Sequence, residues 1–282
     1  MSTATITAAD INKLRQTTGA GMMDCRKALM ESDGDFEKAI DYLRKKGQKV
    51  AALRSDREAK EGVIIAKTTA DNKTGFIITL ACETDFVAKN SDFVAFAQSI
   101  MQTAVKNNVK SLDELQSAKL DGATVADKIN DQVAKIGEKI QLTRFERIDA
   151  EGVSAYIHGA YRMGVLVGLS KTNPAVLDAG KDLAMQIAAM NPVAVDADSV
   201  SPDVLTREKS IVTEQIKNDP KMAGKPDEMI EKIAAGKLTA FFKENTLLAQ
   251  PFVKDQGKTV GDYLKSIDPQ VKVIQFKRVQ LG

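Results

Sequence analysis

The amino-acid sequence predicts an α+β protein with a small three-helix N-terminal domain, a duplicated α+β core of antiparallel hairpin sheets plus helices, and an inserted helical hairpin. Three observations predict this class. Apolar residues recur at helical spacing in residues 1–46, a strand–turn–strand–helix pattern occurs twice about 90 residues apart, and two long amphipathic segments follow the second copy. With 282 residues, 43% of them hydrophobic, the chain can build more than one packed domain.

The N-terminal segment, residues 1–46, is predicted to form three short helices. Thr7 suits the N-cap of the first, and Gly19 and Gly21 interrupt the pattern because glycine accepts backbone angles that other residues avoid. The second helix is predicted from Met22 to Glu31. The third places four apolar residues on one stripe: Phe36, Ala39, Ile40 and Leu43. Three helices in so few residues are marginally stable alone, so we expect a satellite domain.

A basic segment follows the third helix. The segment contains only two acidic residues but seven basic ones. The basic residues are Arg44, Lys45, Lys46, Lys49, Arg54, Arg57 and Lys60. Such a run is either a nucleic-acid-binding patch or a solvated linker or helix face. No aromatic residue is interleaved to stack on bases, so we interpret 47–60 as a basic linker and do not expect nucleic acid as a partner.

The core is predicted to be a duplication because three segments recur in the same order. Glu61–Val63 returns as Glu151–Val153, Gly75–Leu80 as Gly164–Leu169, and Phe96–Ile100 as Leu183–Ile187. Each copy reads as two strands, a connection and a helix. The first copy is assigned to residues 61–149, and the second to residues 150–190 together with 245–282.

The connection between the second strand and the helix is two residues longer in the first copy, where it contains Cys82–Val87. Phe86 in this connection is either folded back into the core or exposed at the tip of the loop, where it would mark a docking site. Most loop aromatics are buried, so the residues alone favour the core.

The remaining elements follow from apolar periodicity and turn residues. A helix is predicted over 124–136 and a strand over 140–148. Residues 191–244 are predicted to form the helical hairpin, with helices over 203–218 and 226–243 joined by a turn at 219–226. A helix over 260–266 and a strand over 271–279 complete the second copy.

Composition excludes several classes of function. Two cysteines and one histidine rule out a disulfide scaffold, a four-thiolate zinc site and sites that use two histidines. Gly257–Thr259 resembles the end of a phosphate-binding loop, but the required first glycine is replaced by Phe252. No catalytic constellation can be assembled, so we expect neither an enzyme nor a cofactor.

No apolar run is long enough to cross a membrane and no signal peptide is visible, which predicts a cytoplasmic location.

Two long motifs resemble the signatures of the translation elongation factor Ts family. They are Leu14–Leu29 and Cys82–Asn90, and both stand in the family's order and spacing. Weaker collinear matches follow at Val133–Glu138, His158–Gly159, Gly224–Pro226 and Gln250–Val253. The resemblance therefore extends over nearly the whole chain.

This resemblance implies a guanine-nucleotide exchange factor for the GTPase elongation factor Tu, with a UBA-like N-terminal domain and no nucleotide site of its own. The loop Thr84, Asp85, Phe86 and Val87 would promote release of GDP and Mg²⁺. The resemblance therefore favours a Phe86 side chain that is exposed at the tip of the loop over one that is buried in the core. Contacts of the family's further C-terminal helical module are not carried over, because this sequence ends shortly after Val279.

Further partner contacts are implied by the same resemblance. Arg15, Met22 and Met23 would contact the nucleotide-binding domain of the GTPase, Ile136 and Gly137 would lie near the loop, and His158 would contact a C-terminal barrel domain. The helical hairpin mediates self-association in some relatives, so a homodimer is possible. The alternative function is a non-catalytic adaptor that binds helical partners through the three-helix domain without changing nucleotide kinetics.

Overall fold

The computed structural model describes residues 6–54, 56–219 and 226–282, and confirms the α+β class. The helices are α1 (Ala8–Thr18), α2 (Met22–Glu31), α3 (Phe36–Leu53), α4 (Asp85–Ala88), α5 (Ser91–Lys106), α6 (Leu112–Ser117), α7 (Val125–Ile136), α8 (Pro174–Met190), α9 (Pro202–Lys217), α10 (Asp227–Asn245) and α11 (Val260–Ile267). The strands are β1 (Glu61–Thr68), β2 (Thr74–Cys82), β3 (Lys119–Leu120), β4 (Ala123–Thr124), β5 (Gln141–Asp149), β6 (Gly152–His158), β7 (Met163–Leu169), β8 (Pro251–Phe252), β9 (Asp255–Thr259) and β10 (Val273–Gln280).

The first three helices form the predicted N-terminal bundle. Thr7 caps α1 in a reciprocal arrangement with Asp10, and Gly19 ends α1 in the left-handed conformation at φ 69°. The bundle encloses its own small core, made of Leu14, Ala20, Cys25, Ala28, Leu29, Ala39 and Leu43. The predicted bounds of α2 are confirmed.

The third helix is longer than the sequence suggested. It continues to Leu53, so the first part of the predicted basic linker 47–60 is helical. Gly47 does not end the helix, because it is the point where α3 crosses α7: a Cβ at Gly47 would lie 2.8 Å from the Cβ of Ala134. Tertiary packing here outweighs the low intrinsic helix propensity of glycine.

Two three-stranded antiparallel sheets form the core, in the orders β1-β2-β5 and β10-β7-β6. In each sheet the second strand of a hairpin lies in the centre and a strand from later in the chain pairs with its other edge. The shared topology confirms the duplication. The short pairs β3–β4 and β8–β9 were not predicted, since strands of two residues show no period of apolar residues.

The sheets pack face to face, and helices cover their outer faces. The shared interface contains Ile64, Ile77, Ile148, Val153, Leu166, Val279 and Leu281. The other face of the first sheet packs against residues of α5, α6 and α7, and that of the second sheet against α8 and α11. Glycine permits the close approach: a Cβ at Gly164 would lie 2.7 Å from Cγ2 of Ile64.

The turn between β6 and β7 joins the two sheets. Gly159, Ala160 and Tyr161 all have positive φ, at 62°, 51° and 70°. This left-handed run aims the carbonyl oxygen of Tyr161 at β1, where it accepts a hydrogen bond of 2.8 Å from the backbone N–H of Ile64.

The helical hairpin consists of α9 and α10, which begin and end close to the predicted positions. A parallel bridge between Ala194 and Thr246 joins the two ends of the insertion at its base. Val212 and Ile216 of α9 are buried. Most of the predicted turn, with Gly224 and Lys225 of the family motif, lies outside the described residues, whereas Pro226 of that motif directly precedes α10. The boundaries of the five predicted domains remain a prediction.

Candidate partner-binding site

Phe86 is the most exposed large apolar side chain of the described residues, with 84% of its surface accessible. It stands in α4, a single helical turn between β2 and α5. The expectation from the residues alone, that Phe86 folds back into the core, is wrong. The exposed side chain that the family resemblance favoured is confirmed.

Thr84 caps α4. Its Oγ1 accepts a hydrogen bond of 3.4 Å from the backbone N–H of Val87 and donates one of 2.7 Å to Oε1 of Glu138. The backbone N–H of Thr84 donates to Oε2 of the same carboxylate at 3.0 Å. The carboxylate of Glu138 therefore accepts hydrogen bonds from both the backbone N–H and the hydroxyl of Thr84, the residue at which the turn begins.

The turn has an inner and an outer side. Val87 and Ala88 pack against the core of the first sheet, whereas Phe86 faces solvent. Asp85 accepts a hydrogen bond of 2.6 Å from Nζ of Lys89, which lowers the pKa of the carboxyl group. Both of these side chains are well exposed, so the pair contributes little to stability.

Glu83 connects the start of this turn to two other parts of the chain. Its Oε1 accepts hydrogen bonds from the backbone N–H of Lys139 at 2.6 Å and from Arg54 at 2.8 Å, and its Oε2 accepts one from Arg57 at 2.9 Å. Burial tends to raise the pKa of this carboxyl group, but the hydrogen bonds from Lys139, Arg57 and Arg54 outweigh it and lower the pKa to about 2.

Cys82, the last residue of β2, also contacts the turn. Its buried thiol donates to the carbonyl oxygen of Thr84 at 3.2 Å. Burial, and next the negative charge of Glu138, raise the pKa of the thiol to about 12. A thiol that stays protonated is a poor nucleophile, so Cys82 acts here as a hydrogen-bond donor.

The end of α7 lies beside the turn. Gly137 ends this helix at φ 80°, and Ile136 packs partly against the core of the first sheet. Their neighbour Glu138 makes the hydrogen bonds to Thr84 described above, so Ile136 and Gly137 directly precede a residue that contacts the turn.

The N-terminal bundle reaches the same helix end. A Cβ at Gly19 would lie 3.0 Å from Cδ of Lys135, the residue before Ile136. Shortly after Gly19, Met22 and Met23 are 53% and 71% exposed in the first turn of α2. Arg15 is exposed on α1. The loop that precedes α2, and with it the start of the segment that carries Met22 and Met23, therefore packs beside the end of α7.

His158 lies apart from this group, at the end of β6. It is exposed, and its Nδ1 shares a hydrogen bond of 3.0 Å with the hydroxyl of Tyr156. Among the hydrogen bonds of the described residues, none joins His158 to α4.

Comparison with known proteins identifies the family. A family model described as Elongation factor TS matches residues 83–282. Curated proteins named "Elongation factor Ts" are similar over almost the full chain. That of Amoebophilus asiaticus is 50% identical over 278 residues, which cover 98% of this chain and 99% of the relative. Those of Flavobacterium psychrophilum and Christiangramia forsetii are 48% and 47% identical over 279 residues, covering 99% of this chain and 100% of each relative. The chain belongs to the elongation factor Ts family.

Two features are not found among the described residues of this member of the elongation factor Ts family. Within the described ranges, no three His, Cys, Asp or Glu side chains are grouped so that they could hold a metal ion. The described helices include none with the length and apolarity needed to span a bilayer.

The basic segment is largely engaged in ion pairs within the chain. Five of its seven basic residues have acidic partners: Arg44 pairs with Asp131, Lys46 with Asp24, Arg54 and Arg57 with Glu83, and Lys60 with Glu58. These contacts favour the structural interpretation of the segment over a phosphate-binding patch.

Sequence reasoning missed the roles of Glu83, Glu138 and Lys139 in holding this turn. The first two residues stand inside motifs of the elongation factor Ts family, but their hydrogen bonds join positions 54 and 56 residues apart. The local spacing of residues cannot indicate hydrogen bonds between positions so far apart in the sequence. The one indication in the sequence was a carboxylate, Glu83, directly before the capping residue Thr84.

Proposed function

We propose that this chain is a guanine-nucleotide exchange factor for elongation factor Tu and that Phe86 is its central contact. Family membership supports the class of activity. The observation that carries the proposal is the exposed Phe86 on a turn fixed by hydrogen bonds. An aromatic side chain held out of the core is ready to enter an apolar pocket of a partner.

Exchange of a nucleotide requires no bond-making chemistry. The factor must bind the GTPase more tightly when the nucleotide and Mg²⁺ are absent, and by linkage it then weakens nucleotide binding by the same factor. If the pocket for Phe86 opens only when the elements around the Mg²⁺ site shift, insertion of the ring selects the open, nucleotide-releasing state. This action takes place in the cytoplasm.

The magnitudes show that Phe86 cannot act alone. Burying a phenylalanine side chain contributes about 1.5–3 kcal/mol. A ten-thousandfold acceleration of nucleotide release requires a barrier lower by about 5.5 kcal/mol. The remaining stabilisation must come from other contacts with the partner.

We assign these other contacts to the residues that the family pattern indicates. Met22 and Met23 are exposed and apolar, and Arg15 is an exposed cation, which suits contact with the nucleotide-binding domain. Ile136 and Gly137 would extend the surface around Phe86. His158 would bind a second domain of the GTPase.

The test is release of a fluorescent GDP analogue from purified elongation factor Tu, with this protein and with its Phe86→Ala variant. We expect the protein to accelerate release and the variant to be about 10- to 150-fold less effective, corresponding to the loss of about 1.5–3 kcal/mol. Ile274→Ala is the control, because Ile274 is also exposed, at 53%, but lies on β10. Circular dichroism shows whether each variant is folded.

Two outcomes would contradict the proposal. Binding of elongation factor Tu without faster release would exclude exchange activity and favour the adaptor. Full activity of Phe86→Ala would keep the activity but remove Phe86 from its centre.

A further inference from the structure

The Phe86 turn and the end of α7 are joined by two carboxylates in a reciprocal arrangement. Glu138 accepts the backbone N–H of Thr84 at 3.0 Å, and Glu83 accepts the backbone N–H of Lys139 at 2.6 Å. Each of two neighbouring residues in one segment is thus bonded to one of two neighbouring residues in the other. Such a pair of bonds fixes both the separation and the relative orientation of the two segments.

The bond from Glu138 to the hydroxyl of Thr84 also determines how α4 begins. A hydroxyl has one proton and two lone pairs, and here the proton is given to Oε1 of Glu138 at 2.7 Å. The lone pairs are therefore free to accept the N–H of Val87. Without Glu138 the hydroxyl can rotate, and the cap is no longer defined.

A four-residue helix has no stability of its own, because helix nucleation is unfavourable in short segments. The packing of Val87 and Ala88 secures the inner side of the turn, but Phe86 is 84% exposed and is not held by burial. The direction of its side chain therefore depends on the backbone of the turn, which Glu138 fixes through Thr84.

We propose that Glu138 is a positioning residue that orders the Phe86 turn before the partner binds. The proposal rests on the proposed function for its consequence, since an ordered turn loses less conformational entropy when Phe86 enters a pocket. Glu138 acts through Thr84 and has no other part in the exchange step.

The first test uses the protein alone and measures hydrogen exchange of the backbone amides of residues 84–90. We expect Glu138→Ala to speed exchange in this segment at least about tenfold and to leave β1 and β2 unchanged. Glu138→Gln should stay within about twofold of the wild type, because its amide can accept from the Thr84 N–H and donate to the hydroxyl. Glu114→Ala is the matched control, since Glu114 likewise accepts a backbone N–H, that of Lys110, at 2.7 Å.

The second test is a double-mutant cycle on release of the GDP analogue. Glu138→Ala should reduce the acceleration about tenfold in the wild-type background and by less than about twofold when Phe86 is already alanine. A residue that merely stabilises the fold would have the same effect in both backgrounds. Thermal unfolding of each variant shows whether it remains folded under the assay conditions.

The two tests separate the two proposals. Unchanged amide exchange in Glu138→Ala, or equal effects in both backgrounds of the cycle, would overturn the role of Glu138. If the wild-type protein does not accelerate nucleotide release, the proposed function fails, while the amide exchange data still decide whether Glu138 orders the turn.

Discussion

Glu83 shows how much a single side chain can determine at this site. One carboxylate receives the backbone of Lys139 and two guanidinium groups, Arg54 and Arg57, that follow α3. It therefore connects the last helix of the N-terminal bundle, the end of α7 and the Phe86 turn. The carboxylate can receive so many donors because it stays ionised when partly buried.

The lowered pKa of Glu83 predicts how stability depends on pH. The pKa is about 2 in the folded protein and near 4.5 in the unfolded chain, so the unfolded state binds more protons between these values. The contribution of Glu83 to stability is therefore complete above about pH 4.5 and is lost as the pH falls towards 2. We expect Glu83→Gln to lower the free energy of unfolding by about 1–3 kcal/mol at pH 7 and by less at pH 3.

Urea unfolding at pH 7, 5 and 3 would measure this difference. Glu58→Gln is the control, because Glu58 is paired with Lys60 but 74% exposed, and its loss should change stability by less than about 1 kcal/mol. A loss in Glu83→Gln that is the same at every pH would contradict the assignment of the pKa.

At this scale the local pattern of the sequence did not predict the environment of Phe86, and its role in partner binding stays a prediction. The motif Cys82–Asn90 indicated that Phe86 matters, through resemblance. Whether the ring is exposed depends on how the turn is held, and the residues that hold it, Glu138 and Lys139, are distant in sequence. Local pattern therefore favoured the wrong environment for Phe86.

At the scale of elements, two glycines in the middle of helices have opposite surroundings. Gly47 of α3 is buried against α7, where an added Cβ would lie 2.8 Å from both the Cβ of Ala134 and the carbonyl oxygen of Asn130. Gly236 of α10 has no neighbouring atom within 4 Å of the same position. The first glycine is thus required by packing, whereas the second only weakens its helix.

The two positions should respond with opposite sign to the same substitution. Gly236→Ala should raise the free energy of unfolding by about 0.5–1 kcal/mol through helix propensity. Gly47→Ala should lower it by about 1–3 kcal/mol, because overpacking at the crossing exceeds that gain. Urea unfolding gives both values, and amide exchange in α1–α3 locates the second effect. Stabilisation by Gly47→Ala would show that α3 and α7 do not cross so closely.

Long elements with regular apolar spacing were predicted well, and interrupted ones were not. The bounds of α2 and the positions of α7, α9 and α10 follow from periodicity and capping residues. The end of α3 does not, because the glycine at position 47 resembles a helix terminator until its packing partner is known. The strands of β3 and β4 are too short to show alternation.

At the scale of the whole molecule, the two halves of the core are held together by a sheet-to-sheet interface in which glycine permits close approach. Ile64 of the first sheet fills the space left by the absent side chain of Gly164 in the second. The repeat in the sequence predicted two similar units, because each copy carries its own strands and helix. It did not predict that they pack face to face, since Gly164 and Ile64 are separated by a hundred residues.

The fit between Gly164 and Ile64 can be tested by enlarging the first side chain and shortening the second. Gly164→Ala should lower the free energy of unfolding by about 1–3 kcal/mol through overpacking. Ile64→Ala should lower it by about 2–5 kcal/mol through the cavity it leaves. In the double variant the new methyl group occupies part of that cavity, so the loss should be smaller than the sum by about 1–2 kcal/mol. Additive losses in urea unfolding would mean that the two residues do not share this space.

The left-handed turn at Gly159–Tyr161 has one more consequence. β1 is an outer strand of its sheet, and an outer strand presents unpaired N–H groups to which another chain can add. The Tyr161 carbonyl occupies the N–H of Ile64, so at this position the second half of the core takes the place that an added strand would need. A chain in which this turn has not formed would leave this part of β1 open to pairing with another chain.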